Sequence, residues 1–226
     1  DQVSLMMDTL MRASFDETDR IKELISQMRA RRDQSISGAG HSLAMTAASA
    51  GMSPLASLYQ SQSGLAGIAS LRALDNALSD STALHDLSTE LAELRDHLLS
   101  SPSFNLLTVS DSQSLDQAAQ ALIDADAPLV KSDRTSTWTP GEKQASTNQI
   151  WVANTQVNFC AKAYPTVSSG HPDAPALTVL GAYLRNGFLH RAIREQGGAY
   201  GGGASHDANV GAFRFFSYRD PRNIGT

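Results

Sequence analysis

The chain has 226 residues, of which 41% are hydrophobic and 18% are charged, and its net charge is −5. This apolar share is enough for a packed core, so general disorder is not expected, and the length fits one large or two small domains. The acidic balance offers no basic face for nucleic acid, and no apolar run approaches the ~20 residues of a membrane-spanning helix. No signal peptide begins the chain, so we expect a soluble protein and favour the cytoplasm, with the compartment left open.

Most of the first hundred residues are predicted to be helical. Ser53-Pro54 predicts a helix start, because serine caps a helix and proline suits its first turn. Apolar residues recur at helical spacing in three sets, which are Ile21, Leu24, Ile25 and Met28, then Leu65, Ile68, Leu71, Leu74 and Leu78, and then Leu84, Leu87, Leu91, Leu94 and Leu98.

A change of pattern follows these helices. Residues 104–109 (FNLLTV) are predicted to form a short buried strand, and residues 114–125 to form a helix. We therefore expect residues 1–126 to form a helix-rich α+β domain. The polar segment 127–148 contains a Pro140-Gly141 turn and is predicted to be a linker, with Trp138 as an anchor.

Residues 149–226 are predicted to begin a second α+β domain. Its first strand is indicated by apolar residues that alternate with polar ones, namely Val157, Phe159, Ala161 and Ala163 against Asn158, Cys160 and Lys162. Cys160 is the single cysteine, which excludes an internal disulfide, and it is predicted to be a small buried strand residue. The few strands in this segment would leave a sheet edge open.

The most informative stretch lies between residues 177 and 222. Apolar spacing predicts a helix over 177–194, and Gly197-Gly198 is expected to end it because glycine accepts the left-handed backbone of a helix C-terminus. A strand, a turn and a second strand should follow from Tyr200. Phe213 and Phe215 would then point to one face of the sheet, and Arg214 and Phe216 to the other.

The chemistry of this stretch is concentrated at the corner between helix and strand. Arg194 lies in the last helical turn, and Tyr200 follows it among the glycines Gly197, Gly198, Gly201, Gly202 and Gly203. Backbone without side chains lets another chain come close, and a guanidinium and a phenol can both donate hydrogen bonds to a peptide carbonyl or to an oxyanion. A purely structural interpretation, with Arg194 at its helix C-terminus and Tyr200 half-buried, also fits these residues.

The segments LRNGFLHRAIREQGGAYGGGA and FRFFSYRDPR give this stretch a specific resemblance. It resembles the C-terminal half of pitrilysin/insulinase-family zinc metallopeptidases, and within them the presequence-protease subgroup. The resemblance is strong over residues 183–222, weaker over 127–183, and rests on order and length over the first hundred residues. It implies a LuxS/MPP-like metallohydrolase fold, with helices packed on antiparallel or mixed sheets and parts of two domains of a four-domain clamshell.

The resemblance also implies roles for particular residues. Arg194 and Tyr200 match the family's arginine and tyrosine that bind the backbone of the scissile peptide and stabilise the tetrahedral intermediate. Gly198, Gly201 and Gly202 would then leave room for the substrate strand, and pairing of a peptide with the sheet edge would add contacts. The partners implied are peptide substrates and the N-terminal half of the same enzyme.

The family's zinc motif, H-x-x-E-H, is absent from the sequence. The spacings of His85 with Glu90 and of His97 with Glu93 are common by chance, so we assign no metal ligand to this chain. The resemblance implies that zinc is a cofactor of the full-length enzyme and that it is bound by another segment or another chain.

Three other interpretations are weighed against this one. A non-catalytic family relative, such as a core-subunit scaffold, would keep the fold without the chemistry, but Arg194 and Tyr200 are retained. Nucleotide binding does not fit, because the glycines follow a helix and no P-loop lysine follows them. A purely helical scaffold does not explain the glycine-tyrosine corner.

The polypeptide alone is therefore expected to have no peptidase activity, since the sequence supplies backbone contacts but no zinc motif. The assay is cleavage of unstructured peptides by the pure 226-residue chain, with and without added zinc. Zinc-dependent cleavage by the isolated chain would contradict this expectation.

Overall fold

The computed structural model describes residues 2–99, 107–126, 141, 145 and 148–221. Within these residues the chain forms two compact units, each built from two stretches. The first unit comprises 1–25 and 75–138, and the second comprises 26–74 and 139–226. This grouping differs from the predicted succession of 1–126, 127–148 and 149–226, and the domain boundaries of the longer protein stay a prediction.

The described part of residues 1–126 is mainly helical, as its apolar spacing predicts. Its helices are α1 (Gln2–Arg12), α2 (Thr18–Gly38), α3 (Gly40–Ser49), α4 (Pro54–Gln62), α5 (Leu65–Ala77), α6 (Ser81–Leu99) and α7 (Leu115–Asp126). The predicted start at Ser53-Pro54 is confirmed, because the Ser53 hydroxyl accepts a hydrogen bond from the Ala56 N–H at 3.2 Å.

In the first unit, an extended connection between α1 and α2 lies against α6. The Ser88 hydroxyl donates a hydrogen bond to the Phe15 carbonyl at 2.6 Å. The Arg95 guanidinium donates to the Ala13 carbonyl and lies over the Phe15 ring, 5.8 Å from its centre. These contacts hold backbone that has no helical partner of its own.

The second unit contains the sheet. Strands β1 (Asn158–Pro165), β2 (Gly201–Asp207) and β3 (Ala212–Asp220) pair antiparallel in the order β1-β3-β2. Helix α8 (Ala174–Leu184) continues into α9 (Arg185–Gln196), a wide π-type helix whose backbone is non-helical at Gly187. The predicted α+β class is therefore confirmed, and the described sheet is antiparallel.

The side chains of the strands alternate between the two faces, as expected. In β1, Phe159, Ala161 and Ala163 are partly buried while Cys160 and Lys162 are exposed. In β3, the rings separate into two groups, of which one contains Phe213 and Phe215 with Tyr164 and His206, and the other contains Phe216 and Tyr218 with His41.

Helix α3 packs against the second of these faces. A Cβ on Gly40 would lie 2.4 Å from the Phe159 ring, so the glycine lets the helix approach the strand closely. The His41 ring lies 5.6 Å from the Phe216 ring and 5.2 Å from the Tyr218 ring. Partial burial of the imidazole, and then the charge of Arg185, hold the pKa of His41 below its ordinary value of 6.5.

Some expectations about exposure are wrong. Residues 107–109 form no strand, and Leu107 and Val109 are exposed, as are Leu94 and Leu98 at the end of the leucine stripe in α6. Cys160 is exposed rather than buried. The remaining residues of the predicted 104–109 strand, Trp138 and Pro140 lie outside the described residues.

The lowered pKa of His41 makes a pH-dependent contribution to stability. The unfolded chain binds a proton at His41 more readily than the folded chain, so this contribution is complete above about pH 6.5 and is lost as the pH falls below it. His41→Phe keeps a ring against Phe216 but cannot titrate. We expect its melting temperature to fall less than that of the wild type between about pH 7.5 and about pH 5.5.

The matched control is His85→Phe, since His85 is an exposed histidine of α6. That variant should follow the wild-type pH dependence. Parallel melting curves for the wild type and His41→Phe would contradict the assignment.

Candidate functional site

The end of α9 is turned sharply towards β2. The Ala199 N–H donates a hydrogen bond to the Ile193 carbonyl at 3.2 Å, and Gly198 has φ = +73°. This is the left-handed conformation expected at a helix C-terminus, and a side chain there would be strained. Tyr200 follows directly, and its N–H donates to the Arg219 carbonyl at 3.4 Å.

The glycines of β2 are required by contacts within the chain itself. A Cβ on Gly202 would lie 2.6 Å from the Phe216 carbonyl oxygen and 2.8 Å from the end of the Ile193 side chain. A Cβ on Gly201 would lie 2.6 Å from the Tyr218 ring. The bare strand thus brings the last turn of α9 against the sheet.

This packing brings Arg194 and Tyr200 together. The Arg194 guanidinium carbon lies over the Tyr200 ring, 5.7 Å from its centre. Tyr200 is 57% exposed, and Arg194 is also exposed, so both side chains can meet another molecule. A phenol and a guanidinium at this distance can donate hydrogen bonds to one acceptor.

Two further side chains border Tyr200, and neither was predicted from the sequence. The Tyr218 ring centre lies 5.6 Å from that of Tyr200, and the Arg219 guanidinium carbon lies 5.6 Å from the Tyr200 ring centre. Regular strand alternation would have placed Tyr218 and Arg219 on opposite faces, so periodicity alone could not find this pair.

The predicted glycines differ in their surroundings. No atom lies within 4 Å of a Cβ built on Gly198, whereas the space above Gly201 and Gly202 is occupied by the chain's own residues. Contact of a peptide with these three glycines stays a prediction, and so does a substrate contact by Arg194 or Tyr200.

The residues described provide no ligand set for the zinc that the resemblance implies. No three histidine, cysteine, aspartate or glutamate side chains among them form a group that could bind a metal ion. Cys160 is not activated as a nucleophile either, since partial desolvation and the Asp220 carboxylate raise the pKa of its thiol. Within the described residues, no helix is both long and apolar enough to cross a bilayer.

Two protein-family models match the chain. Residues 1–74 match the model of a region associated with subfamily C of the M16 peptidases, and residues 148–226 match the "PreP C-terminal domain". The second match contains β1, α8, α9, β2, β3 and every candidate site residue. The chain belongs to the presequence-protease group of the pitrilysin family.

Curated relatives in this group are several times longer than the chain. It is 30% identical over 220 residues to the mitochondrial presequence protease of Kluyveromyces lactis, which covers 92% of the chain and 22% of that protein. It is 28% identical over 229 residues to presequence protease 1, chloroplastic/mitochondrial, of Arabidopsis thaliana, covering 100% and 21%. The chain thus spans about a fifth of the length of these relatives.

A shorter match has higher identity. Over 69 residues, 30% of the chain, it is 51% identical to the mitochondrial presequence protease of Eremothecium gossypii, of which the match covers 7%. The resemblance to the presequence-protease group is therefore confirmed.

The glycine contact at β2 leads to a stability prediction. Gly202→Ala places a methyl group against the Phe216 carbonyl oxygen, which is backbone and cannot turn away. We expect a loss of about 1–3 kcal/mol of unfolding free energy, measured by denaturant titration. Gly170→Ala is the control, because a Cβ on Gly170 meets nothing within 4 Å. Equal stability of the two variants would contradict the packing role of Gly202.

Proposed function

We propose that this chain is part of the C-terminal half of a zinc-dependent metalloendopeptidase that degrades peptides inside a closed chamber. Its contribution is to hold the backbone of the substrate and to stabilise the oxyanion that forms when the peptide bond is attacked. The names of the relatives support the peptidase class, since each is a presequence protease.

The observation that carries the proposal is the exposed pair formed by Arg194 and Tyr200. Neither side chain is needed to fill a core, since both are exposed. Among the described residues no carboxylate forms an ion pair with Arg194, so its donors are available to a ligand. An arginine and a tyrosine that only stabilised the fold would be expected to have more of their surface covered.

The chemistry of the pair fits the attack on a peptide carbonyl. The phenol O–H of Tyr200 and the N–H groups of Arg194 are hydrogen-bond donors, and the guanidinium remains positively charged at any physiological pH. Such donors bind the neutral carbonyl of the substrate, and they bind the negatively charged tetrahedral intermediate more strongly. The pair therefore lowers the barrier rather than only improving substrate binding.

The substrate strand would approach along the corner between Gly198 and β2. Open space lies above Gly198, and β2 has a partner strand, β3, on only one side of the described sheet. An extended peptide beside this corner could pair its backbone with the chain, which gives binding without sequence specificity.

Zinc would be bound by the N-terminal half of the same enzyme. When bound, zinc polarises the scissile carbonyl and activates the attacking water. The residues of this chain would then position the peptide so that its carbonyl faces the metal, and closing the two halves would exclude bulk water. Peptide substrates and the N-terminal half are the proposed partners.

The expectation of a cytoplasmic location finds no support in the names of the relatives. Those names assign the relatives to mitochondria and, for the Arabidopsis protein, to chloroplasts as well.

The proposal is tested by removing each donor from the full-length enzyme. Tyr200→Phe removes only the phenol oxygen, and Arg194→Ala removes the guanidinium. Loss of one oxyanion donor typically raises the barrier by about 3 kcal/mol, so we expect kcat to fall about 100-fold or more while the melting temperature changes little. The measurements are peptide turnover and thermal unfolding.

Matched controls are available on neighbouring helices. Tyr183→Phe removes a phenol oxygen from α8, where Tyr183 is 74% exposed, and Arg191→Ala removes an exposed arginine of α9. Both should keep wild-type turnover. Wild-type turnover in Tyr200→Phe and Arg194→Ala, together with a lower melting temperature, would favour a structural role and a non-catalytic relative.

A further inference from the structure

The strand β3 ends in an irregularity that brings a second arginine to Tyr200. Asn158 pairs with Asp220, and the next residue of β1, Phe159, pairs with Tyr218. Arg219 is therefore an extra residue on β3 with no partner on β1, which is the definition of a β-bulge.

The backbone of Arg219 adopts the left-handed conformation that this kind of bulge requires. Its φ is +54°, the only positive φ of a non-glycine residue among those described. A residue other than glycine in this region costs of order 1 kcal/mol or more, so the sequence keeps an arginine where glycine would be less strained.

The surrounding residues hold the bulge in place. The Ser217 hydroxyl donates to the buried Asp220 carboxylate at 2.6 Å, and the Asn158 side-chain amide donates to the Pro221 carbonyl at 3.2 Å. The Tyr200 N–H donates to the carbonyl of Arg219 itself at 3.4 Å. The bulge and the backbone of Tyr200 are thus directly joined.

The consequence of the bulge is that two consecutive residues of β3 reach the same ring. Tyr218 and Arg219 both lie 5.6 Å from the Tyr200 ring centre, as measured to the Tyr218 ring centre and to the guanidinium carbon. Arg194 lies over the same ring at 5.7 Å. Two cations over one ring repel each other, and the attraction of each to the ring's electrons offsets part of that cost.

We propose that Arg219 is a positioning residue that fixes the orientation of the Tyr200 phenol for the substrate carbonyl. This inference rests on the proposed function of Tyr200. The Arg219 guanidinium holds the ring through a cation–π contact, and its carbonyl holds the backbone of Tyr200. Arg219 itself need not touch the substrate.

The test uses three substitutions in the full-length enzyme. Arg219→Gly removes the side chain and relaxes the backbone at positive φ, so the melting temperature should stay the same or rise. Its kcat should fall about tenfold with a smaller change in KM, because a misoriented phenol still admits substrate. Arg219→Lys keeps a cation and should restore most of the lost turnover. Arg191→Gly on α9 tests the loss of an arginine elsewhere and should keep wild-type kcat.

A double-mutant cycle shows whether Arg219 acts through Tyr200. In the Tyr200→Phe background there is no phenol O–H to orient, so adding Arg219→Gly should lower kcat by less than about twofold. A further loss of about tenfold in that background would overturn the inference. Wild-type kcat in Arg219→Gly, or a lysine variant no better than the glycine variant, would also overturn it.

The outcomes separate this inference from the proposed function. If Tyr200→Phe alone leaves turnover unchanged, the proposed role of Tyr200 fails, and the inference fails with it. If Tyr200→Phe is impaired while Arg219→Gly is not, only the positioning role is wrong.

Discussion

The close contact between the last turn of α9 and the bare backbone of β2 is the constraint on which the candidate site depends. Gly202 leaves no space for a Cβ between the Phe216 carbonyl and the Ile193 side chain. Because Ile193 is held against the sheet, its neighbour Arg194 is placed at the surface beside the start of the strand. Any larger residue at position 202 would push the helix end away and separate Arg194 from Tyr200.

The hairpin of β2 and β3 supplies the other half of the arrangement. Hydrogen bonding across it fixes the backbone of Tyr200, while the bulge at Arg219 turns an additional cation towards the phenol. The ring is thus oriented by contacts at its face and by its own backbone, although it remains more than half exposed. A side chain that is exposed yet held in one orientation is suited to binding a substrate, because less conformational entropy is lost when the ligand arrives.

Local patterns predicted much of this architecture. The spacing of apolar residues indicated the helices, Ser53-Pro54 indicated a helix start, and alternation indicated the faces of β1 and β3. Gly198 was expected in the left-handed conformation and has it. The candidate pair Arg194 and Tyr200 was selected from the sequence, and the structure brings the two side chains into contact.

The features that could not be predicted depend on distant residues. The bulge at Arg219 arises from pairing with Asn158, which lies far earlier in the chain, and strand periodicity would have placed Arg219 on the wrong face. The exposure of Leu107, Val109 and Cys160 likewise depends on what does or does not pack against them. Alternation and hydrophobicity indicate which residues could be covered, and only the packed chain determines which of them are.

The most direct measurement of the central claim is a crystal structure of the full-length protein with zinc and an uncleaved peptide bound. We expect the Tyr200 hydroxyl and an Arg194 nitrogen each to lie about 2.7–3.1 Å from one peptide carbonyl oxygen or its tetrahedral analogue, and that oxygen to face the metal. A peptide held at the zinc with both side chains beyond hydrogen-bonding distance of its backbone would contradict the claim.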